Sequence, residues 1–208
     1  MIFKNGQNQH PRSGVSGERI KRGTFTDAEF KKIQQEDERL RKSKFFIHDQ
    51  AVSTVSQVVS RARRLKDEED IRILAVDYLQ LLGTDSGNDS RQYEVAEVSR
   101  TLKRLAMELK IPIIVVAQLS RKVEERTVKK PLMSDLRDSG QIEQDADAIL
   151  FVYRREYYDP NDKKGQAEII LSKNRHGPTL DTSLSFNSEC GVFGNLAPIS
   201  QAPKGHDY

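Results

Sequence analysis

What this chain has little of narrows it first. Its 208 residues include one cysteine, Cys190, which excludes an internal disulfide framework and suits a reducing compartment. No apolar run approaches the length that spans a bilayer, and the start, Met-Ile-Phe-Lys-Asn-Gly-Gln-Asn, has no apolar core of the signal-peptide kind. The expectation is a soluble, cytoplasmic protein with no membrane partner. Charge of one sign is scarce too: 34 Lys and Arg face 31 Asp and Glu, a net charge of +3. A diffuse nucleic-acid-binding tail would show a larger imbalance, so any DNA contact has to come from a local patch. The histidines are scattered without a matching ligand set, and Cys190 lies in a glycine-rich stretch where it reads as incidental.

What is there is organised around Ile71 to Leu82, Ile-Arg-Ile-Leu-Ala-Val-Asp-Tyr-Leu-Gln-Leu-Leu. A near-continuous apolar run rich in branched side chains has the character of a strand buried on both faces. Asp77 sits where that strand would end. Ligands of open α/β sheets collect at the carboxyl ends of parallel strands, so an acid there is placed to meet a phosphate-bound Mg²⁺, as a Walker B aspartate does. An acid that caps the following turn is the competing reading.

Along the chain, residues 1–23 read as a loop or flexible arm and 188–208 as a frayed tail, both from their Gly, Pro, Asn and Ser content. Between them, 24–187 reads as one domain. Thr26 with Glu29 forms a capping-box pattern opening a helix to about Lys42, and Thr54 with Gln57 opens another to about Lys66. Lys44 to Asp49 has the composition of a short strand. Gly83 to Ser90 is a polar loop, and Tyr93 to Lys110 carries Val95, Val98, Leu102, Leu105, Ala106 and Leu109 at helical spacing. Strands are predicted at Ile111 to Gln118, Ala148 to Tyr153, Ala167 to Ser172 and Thr182 to Phe186. The order suits an α/β fold with a mainly parallel sheet, helices on its faces and an antiparallel C-terminal edge.

Three constellations carry chemistry. Asp77 and Gln118 are each the first polar side chain after a long apolar run. At the ends of neighbouring parallel strands they would share one crevice, where a carboxylate holds a metal and an amide touches a phosphate or a water. Ser134-Asp-Leu-Arg-Asp-Ser-Gly140 follows a basic stretch within Arg121 to Lys130, which suits a loop that grips phosphates of a single strand; an ordinary charged surface loop is the alternative. Lys173-Asn-Arg-His-Gly-Pro178 sets two cations one residue apart beside a turn, the look of an arginine finger carried at a subunit edge or of a basic turn with no such duty. Glu143, Asp145 and Asp147 lack matching His or Cys and read as acids at a helix start rather than metal ligands.

Taken together, Ile-Leu-Ala-Val-Asp-Tyr-Leu-Gln-Leu-Leu, Arg91-Gln-Tyr-Glu-Val, Val-Ala-Gln-Leu-Ser-Arg121, Met133-Ser-Asp-Leu-Arg-Asp-Ser-Gly-Gln-Ile-Glu-Gln-Asp-Ala-Asp147 and Lys173-Asn-Arg-His-Gly-Pro-Thr resemble the C-terminal motor domain of DnaB-type replicative helicases, a RecA-like fold. The matches run in order from about residue 15 to 187. The resemblance implies ATP and Mg²⁺ as cofactors, with Asp77 as the Walker B acid and Gln118 as the sensor that reports the γ-phosphate to the DNA loops. It places Arg137, Asp138 and Gly140 on the loop that holds single-stranded DNA. It sends Lys173 and Arg175 into the ATP site of the next subunit of a homo-hexamer, or of a ring shared with P-loop-bearing subunits. Primase and a helicase loader are implied as further partners, in a bacterial or phage replisome.

One departure matters. A P-loop needs Gly-x-x-x-x-Gly-Lys-Ser/Thr so that backbone N–H groups cradle phosphates and the lysine neutralises them, and no glycine here is followed by lysine. In the family that strand and helix, and the glutamate that activates water, lie upstream of the point where this sequence begins. The expectation is a chain that hydrolyses no ATP alone. The alternatives are a non-catalytic relative acting only as a DNA-binding or ring subunit, or a recombinase-like or clock ATPase of the same fold.

Overall fold

The computed structural model describes residues 11–48, 54–85 and 90–196. Expectations for 1–10, 49–53, 86–89 and 197–208 lie outside the described residues.

The first difference from the sequence reading comes at once. In the segment expected to be an arm, a 3-10 turn at Pro11–Ser13 leads into helix α1, Gly17–Arg22. Val15 is buried and the Gly17 amide donates to the Glu189 carbonyl at 3.0 Å. Order here comes from docking on a segment far along the chain, which local composition cannot report. Helix α2, Asp27–Arg41, opens with the predicted capping box: Thr26 Oγ1 accepts from the Glu29 amide and Glu29 Oε2 from the Thr26 amide at 2.8 Å. It buries none of its residues. The strand proposed after it is absent among the described residues 44–48.

Helix α3, Val55–Glu69, buries Val55, Val58 and Ala62. Its predicted Thr54 cap makes no side-chain capping bond; Thr54 instead forms a parallel bridge with Gly83. Strand β1 is Leu74–Val76, shorter than its apolar run, because the chain then turns through a 3-10 stretch at Leu79–Leu81. That turn inserts Leu79 and Leu82 into the core instead of extending the ladder. Helix α4, Arg91–Leu109, matches its predicted face, burying Val95, Val98, Leu102 and Leu105. Strand β2, Ile113–Val115, pairs in parallel with β1, Leu74 opposite Ile113 and Val76 opposite Val115.

Beyond β2 lie 3-10 stretches at Arg121–Glu125 and Met133–Ser139, then helix α5, Gly140–Asp145. Strands β3 (Ala148–Tyr153), β4 (Gln166–Asn174), β5 (Leu180–Asn187) and β6 (Val192–Gly194) form an antiparallel sheet in that order. The fold is α/β as expected; among the described strands β1 and β2 pair in parallel, beside the isolated Thr54–Gly83 bridge, and the antiparallel part takes four strands. The reason is connectivity: the long helix α4 carries the chain back so that β2 enters parallel to β1, whereas β3 to β6 follow one another through shorter connections that reverse the chain. β6 also falls in the expected tail, where Phe193 packs on Phe186 at 4.7 Å between ring centroids, and Cys190 is buried.

Candidate functional site

Asp77 follows β1 directly and Gln118 stands three residues past β2. The parallel register carries on beyond the strands, with the Val116 amide donating to the Val76 carbonyl and the Leu79 amide to the Val116 carbonyl, both at 2.9 Å. The structure therefore brings Asp77 and Gln118 to the same end of neighbouring strands. What joins the two ends is a residue that sequence reasoning passed over. Gln80 Nε2 donates to the Gln118 carbonyl at 3.0 Å, and Gln80 Oε1 accepts from the Gln118 amide at 3.1 Å. Its signal was a lone amide among leucines. Arg91, at the start of α4, donates in turn to the Gln80 carbonyl. The bonds to Gln118 use its main chain, and its side chain is exposed.

The Asp77 carboxylate is half-buried and has no hydrogen-bond or ion-pair partner among the described residues. That fits one ligand position on a Mg²⁺ carried by phosphates, which takes one or two protein carboxylates and needs no closed cage. Among the described residues no group of three His, Cys, Asp or Glu is placed to hold a metal by itself.

From Gln118 the chain passes to Ser120, whose amide donates to the Asp135 carbonyl at 2.9 Å. Asp135 belongs to the Ser-Asp-Leu-Arg-Asp-Ser-Gly segment but was not singled out from sequence. Its carboxylate is buried, and a buried charge needs partners. They are the Leu132 amide at 2.8 Å and Arg126 Nη2 at 2.7 Å. Arg126 also reaches the Lys130 carbonyl at 3.0 Å. The long basic connection is thus folded around one acid of the following loop. On that loop Arg137 and Asp138 lie in the 3-10 stretch, and their side chains are outside the described part of the structure. Gly140 opens α5 with φ −50°, and a Cβ built on it would meet nothing within 4 Å. Neither backbone nor packing demands a glycine there.

Beside Gln118 a cleft of about 360 Å³ is lined by Ser120, Arg121, Lys129, Arg154 and Tyr158. Tyr158 donates to Glu124 Oε1 at 3.0 Å. Burial first, and this acceptor second, push its hydroxyl pKa up to about 12.

Lys173 and Arg175 come together elsewhere, at the end of β4. Lys173 Nζ donates to the Glu143 carbonyl at 2.5 Å, and Arg175 Nη2 to the Gln144 carbonyl at 3.0 Å. These are closing carbonyls of α5, which lack intrahelical partners and attract cations. Arg175 Nη1 also pairs with Asp147 Oδ1 at 2.9 Å. No hydrogen bond or ion pair among the described residues joins Lys173 or Arg175 to Asp77 or Gln118. The four predicted residues form two separate groups on one chain.

The relatives fit this geometry. The chain is 48% identical over 181 residues to a probable plasmid replicative DNA helicase of Chlamydia psittaci, an alignment covering 87% of this chain and 40% of that protein. It is 44% identical over 186 residues to the replicative DNA helicase DnaB of Buchnera aphidicola subsp. Schizaphis graminum, covering 88% and 40%. The chain thus spans about 40% of the length of the curated relatives it matches. A solved ATPase domain superposes with a TM-score of 0.85 at 36% identity, over 95% of this chain and 75% of that one. A DnaB-like replicative helicase solved for its interactions with primase gives 0.86 at 37%, over 94% and 50%. With such neighbours, the parallel pair and antiparallel sheet form a RecA-like α/β fold. The profile of the DnaB-like helicase C-terminal domain matches residues 9–195, and the chain belongs to that family.

Proposed function

We propose that this chain is part of the ATP-dependent motor of a hexameric replicative DNA helicase, which translocates on single-stranded DNA and unwinds duplex DNA at replication forks. The observation that carries the reading is the bonded route from the Asp77 strand end through Gln80 to Gln118, and on through Ser120 to Asp135 and the loop of Arg137, Asp138 and Gly140. Such a route lets a change at a phosphate move a loop that holds a polynucleotide.

In this reading Asp77 holds the Mg²⁺ of ATP and Gln118 touches the γ-phosphate. When bound, the Mg²⁺ neutralises charge on the phosphates. Gly140, a glycine that the local backbone does not require, leaves room for a phosphodiester backbone to approach, with Arg137 supplying charge. Lys173 and Arg175 serve a neighbouring subunit's nucleotide, since they stand apart from this chain's own strand ends. Single-stranded DNA, P-loop-bearing ring subunits, primase and a loader are the partners, in the cytoplasm of a bacterium or at a phage replisome. No described helix is long and apolar enough to cross a membrane.

Ile114 and Val116 near β2, and Leu150 and Val152 on β3, are exposed. Apolar sheet faces left bare favour completion by further polypeptide. With no Gly-Lys pair in the sequence, the chain by itself supplies half-sites and turns over no ATP.

The test is ATP turnover with single-stranded DNA, by the chain alone and mixed with P-loop-bearing family subunits whose own finger pair is replaced by alanine. None is expected from the chain alone, and restored turnover is expected in the mixture. Turnover by the chain alone that disappears in Asp77→Ala would sink the half-site reading, and a silent mixture would sink the donor role of Lys173 and Arg175.

A further inference from the structure

The acids before β3, which have no metal-ligand pattern, are used in a different way. Asp145 Oδ2 accepts from Ser99 Oγ at 2.8 Å and Asp147 Oδ2 from Lys103 Nζ at 2.5 Å. Ser99 and Lys103 are one turn apart on α4 and so share a face. The corner between α5 and β3 is therefore docked on the helix that follows the Asp77 strand.

Asp147 has a second oxygen and a main chain, and Arg175 uses both. Arg175 Nη1 meets Oδ1 at 2.9 Å, and the Arg175 amide donates to the Asp147 carbonyl at 2.8 Å. Together with the Gln144 carbonyl, this fixes the backbone and the guanidinium of Arg175 from three sides. Among the described residues the Gln144 carbonyl takes one guanidinium N–H in a hydrogen bond and Asp147 pairs with the charge through Nη1, so most of the five N–H donors are left for a ligand. The Lys103 hydrogen bond, helped by the nearby charges of Arg175 and His176 and opposed by burial, holds the Asp147 carboxyl below the usual carboxylate range. The acid is ionised at neutral pH.

Stability does not account for this clamp. The side chains of Arg175 and Asp147 are 44% and 48% exposed, and pairs that open to solvent contribute little to folding. Positioning does account for it. A long cation left free samples many rotamers, and a charge that must meet a transferring phosphoryl group loses much of its effect when misplaced by an ångström.

We infer that Asp147 is a positioning residue for the Arg175 guanidinium, holding it ready for the nucleotide of a neighbouring subunit and tying that position through Lys103 to α4. The inference rests on the donor role proposed above for Lys173 and Arg175. It adds a link inside one chain: Arg91 at the start of α4 bonds the Gln80 carbonyl, and Lys103 on the same helix bonds Asp147. The nucleotide end and the finger end of the subunit are braced by one helix.

The experiment uses the full chain in two settings. In mixed rings with finger-less, P-loop-bearing subunits, Asp147→Asn is expected to lower kcat for ATP roughly tenfold or more while KM stays within about twofold. Asp147→Glu should recover part of the rate, and the melting temperature should move by no more than about 2–4 °C. In the chain alone, ¹⁵N spectra of the arginine side chains should show slowed rotation of the Arg175 guanidinium, assigned with Arg175→Lys, and free rotation in Asp147→Asn. Wild-type kcat in the Asp147→Asn ring overturns the proposal, and so does an Arg175 that stays equally restricted without the carboxylate. If the wild-type chain restores no turnover, the donor role falls, and the spectra still decide whether Asp147 holds Arg175.

Discussion

The half of the molecule around β1 and β2 and the half around β3 to β6 are held together by different forces. In the first, α3, β1, α4 and the turn after β1 enclose one apolar cluster in which Val76, Val98 and Leu105 are almost wholly buried. In the second, the buried apolar cluster among the described residues is smaller, made of Leu136, Ile149, Phe151 and Ile170. Polar bonds take over there: Glu168 between Arg155 and Lys163, Lys130 with Asp181, and Arg126 with Asp135. Apolar packing fixes position without offering an alternative partner, whereas an ion pair can be exchanged for a ligand of the same charge. The acid proposed for the metal stands on the rigid half. The loop and the cations proposed to move against DNA and a neighbour's phosphates stand on the exchangeable half.

The largest break in this contrast should come from the apolar side. Leu105→Ala removes a side chain that is 2% exposed in the cluster beneath β1, and a cavity of that kind costs about 2–5 kcal/mol. Urea unfolding followed by circular dichroism is expected to show the loss with the slope unchanged. A cost under about 1 kcal/mol would mean that the core collapses around the gap and is not the rigid support argued here.

On the polar side, Glu168→Gln should cost less, about 1.5–3 kcal/mol, the range for hydrogen bonds to charged groups. Its carboxylate, 9% exposed, receives Arg155 at 2.6 Å and Lys163 at 2.8 Å. Burial raises its pKa, but these two donors outweigh burial and leave it below the ordinary glutamate value of 4.5. A carboxyl with a depressed folded pKa contributes fully above its unfolded value and loses that contribution as pH falls through the folded value. The gap between wild type and Glu168→Gln is thus expected at pH 7 and should close in acid below about pH 4.5. A gap independent of pH would assign the loss to packing and erase the distinction between the halves.

How much of this contrast is legible in sequence depends on how far apart the partners lie. Helix α4 is readable because Val95, Val98, Leu102 and Leu105 repeat along a few turns, and α2 because Thr26 and Glu29 complete their box within one turn. Asp77 and Gln118 are readable as strand ends because a polar residue closes each apolar run. The length of β1 is not readable, since hydrophobicity says that a segment is buried, not whether a neighbouring strand or a turn buries it. Nor are the residues that wire the site. Gln80 and Gln118 are 38 positions apart, Lys103 and Asp147 are 44 apart, and α1 owes its order to a bond reaching Glu189. A polar residue looks idle in sequence until the chain brings its partner, which is why Asp147 reads as a helix-start acid and becomes the anchor of Arg175.

The smallest effect marks where the contrast stops. Arg63 on α3 and Glu108 on α4 form a two-pronged pair at 2.7 and 2.8 Å, better in geometry than most ion pairs of the second half. Their side chains are nevertheless 53% and 45% exposed, and the apolar cluster already holds α3 against α4. The Arg63 hydrogen bond keeps the Glu108 carboxyl below its usual range, so what it contributes is present at neutral pH and is lost on acidification. Solvent screens most of that contribution. Glu108→Gln should therefore leave the pH 7 unfolding midpoint within experimental scatter, with added salt making no further difference. A clear salt-dependent loss in this variant would place ionic bonding in the first half as well. The division would then lie between the surface and the interior of the molecule, not between its two sheets.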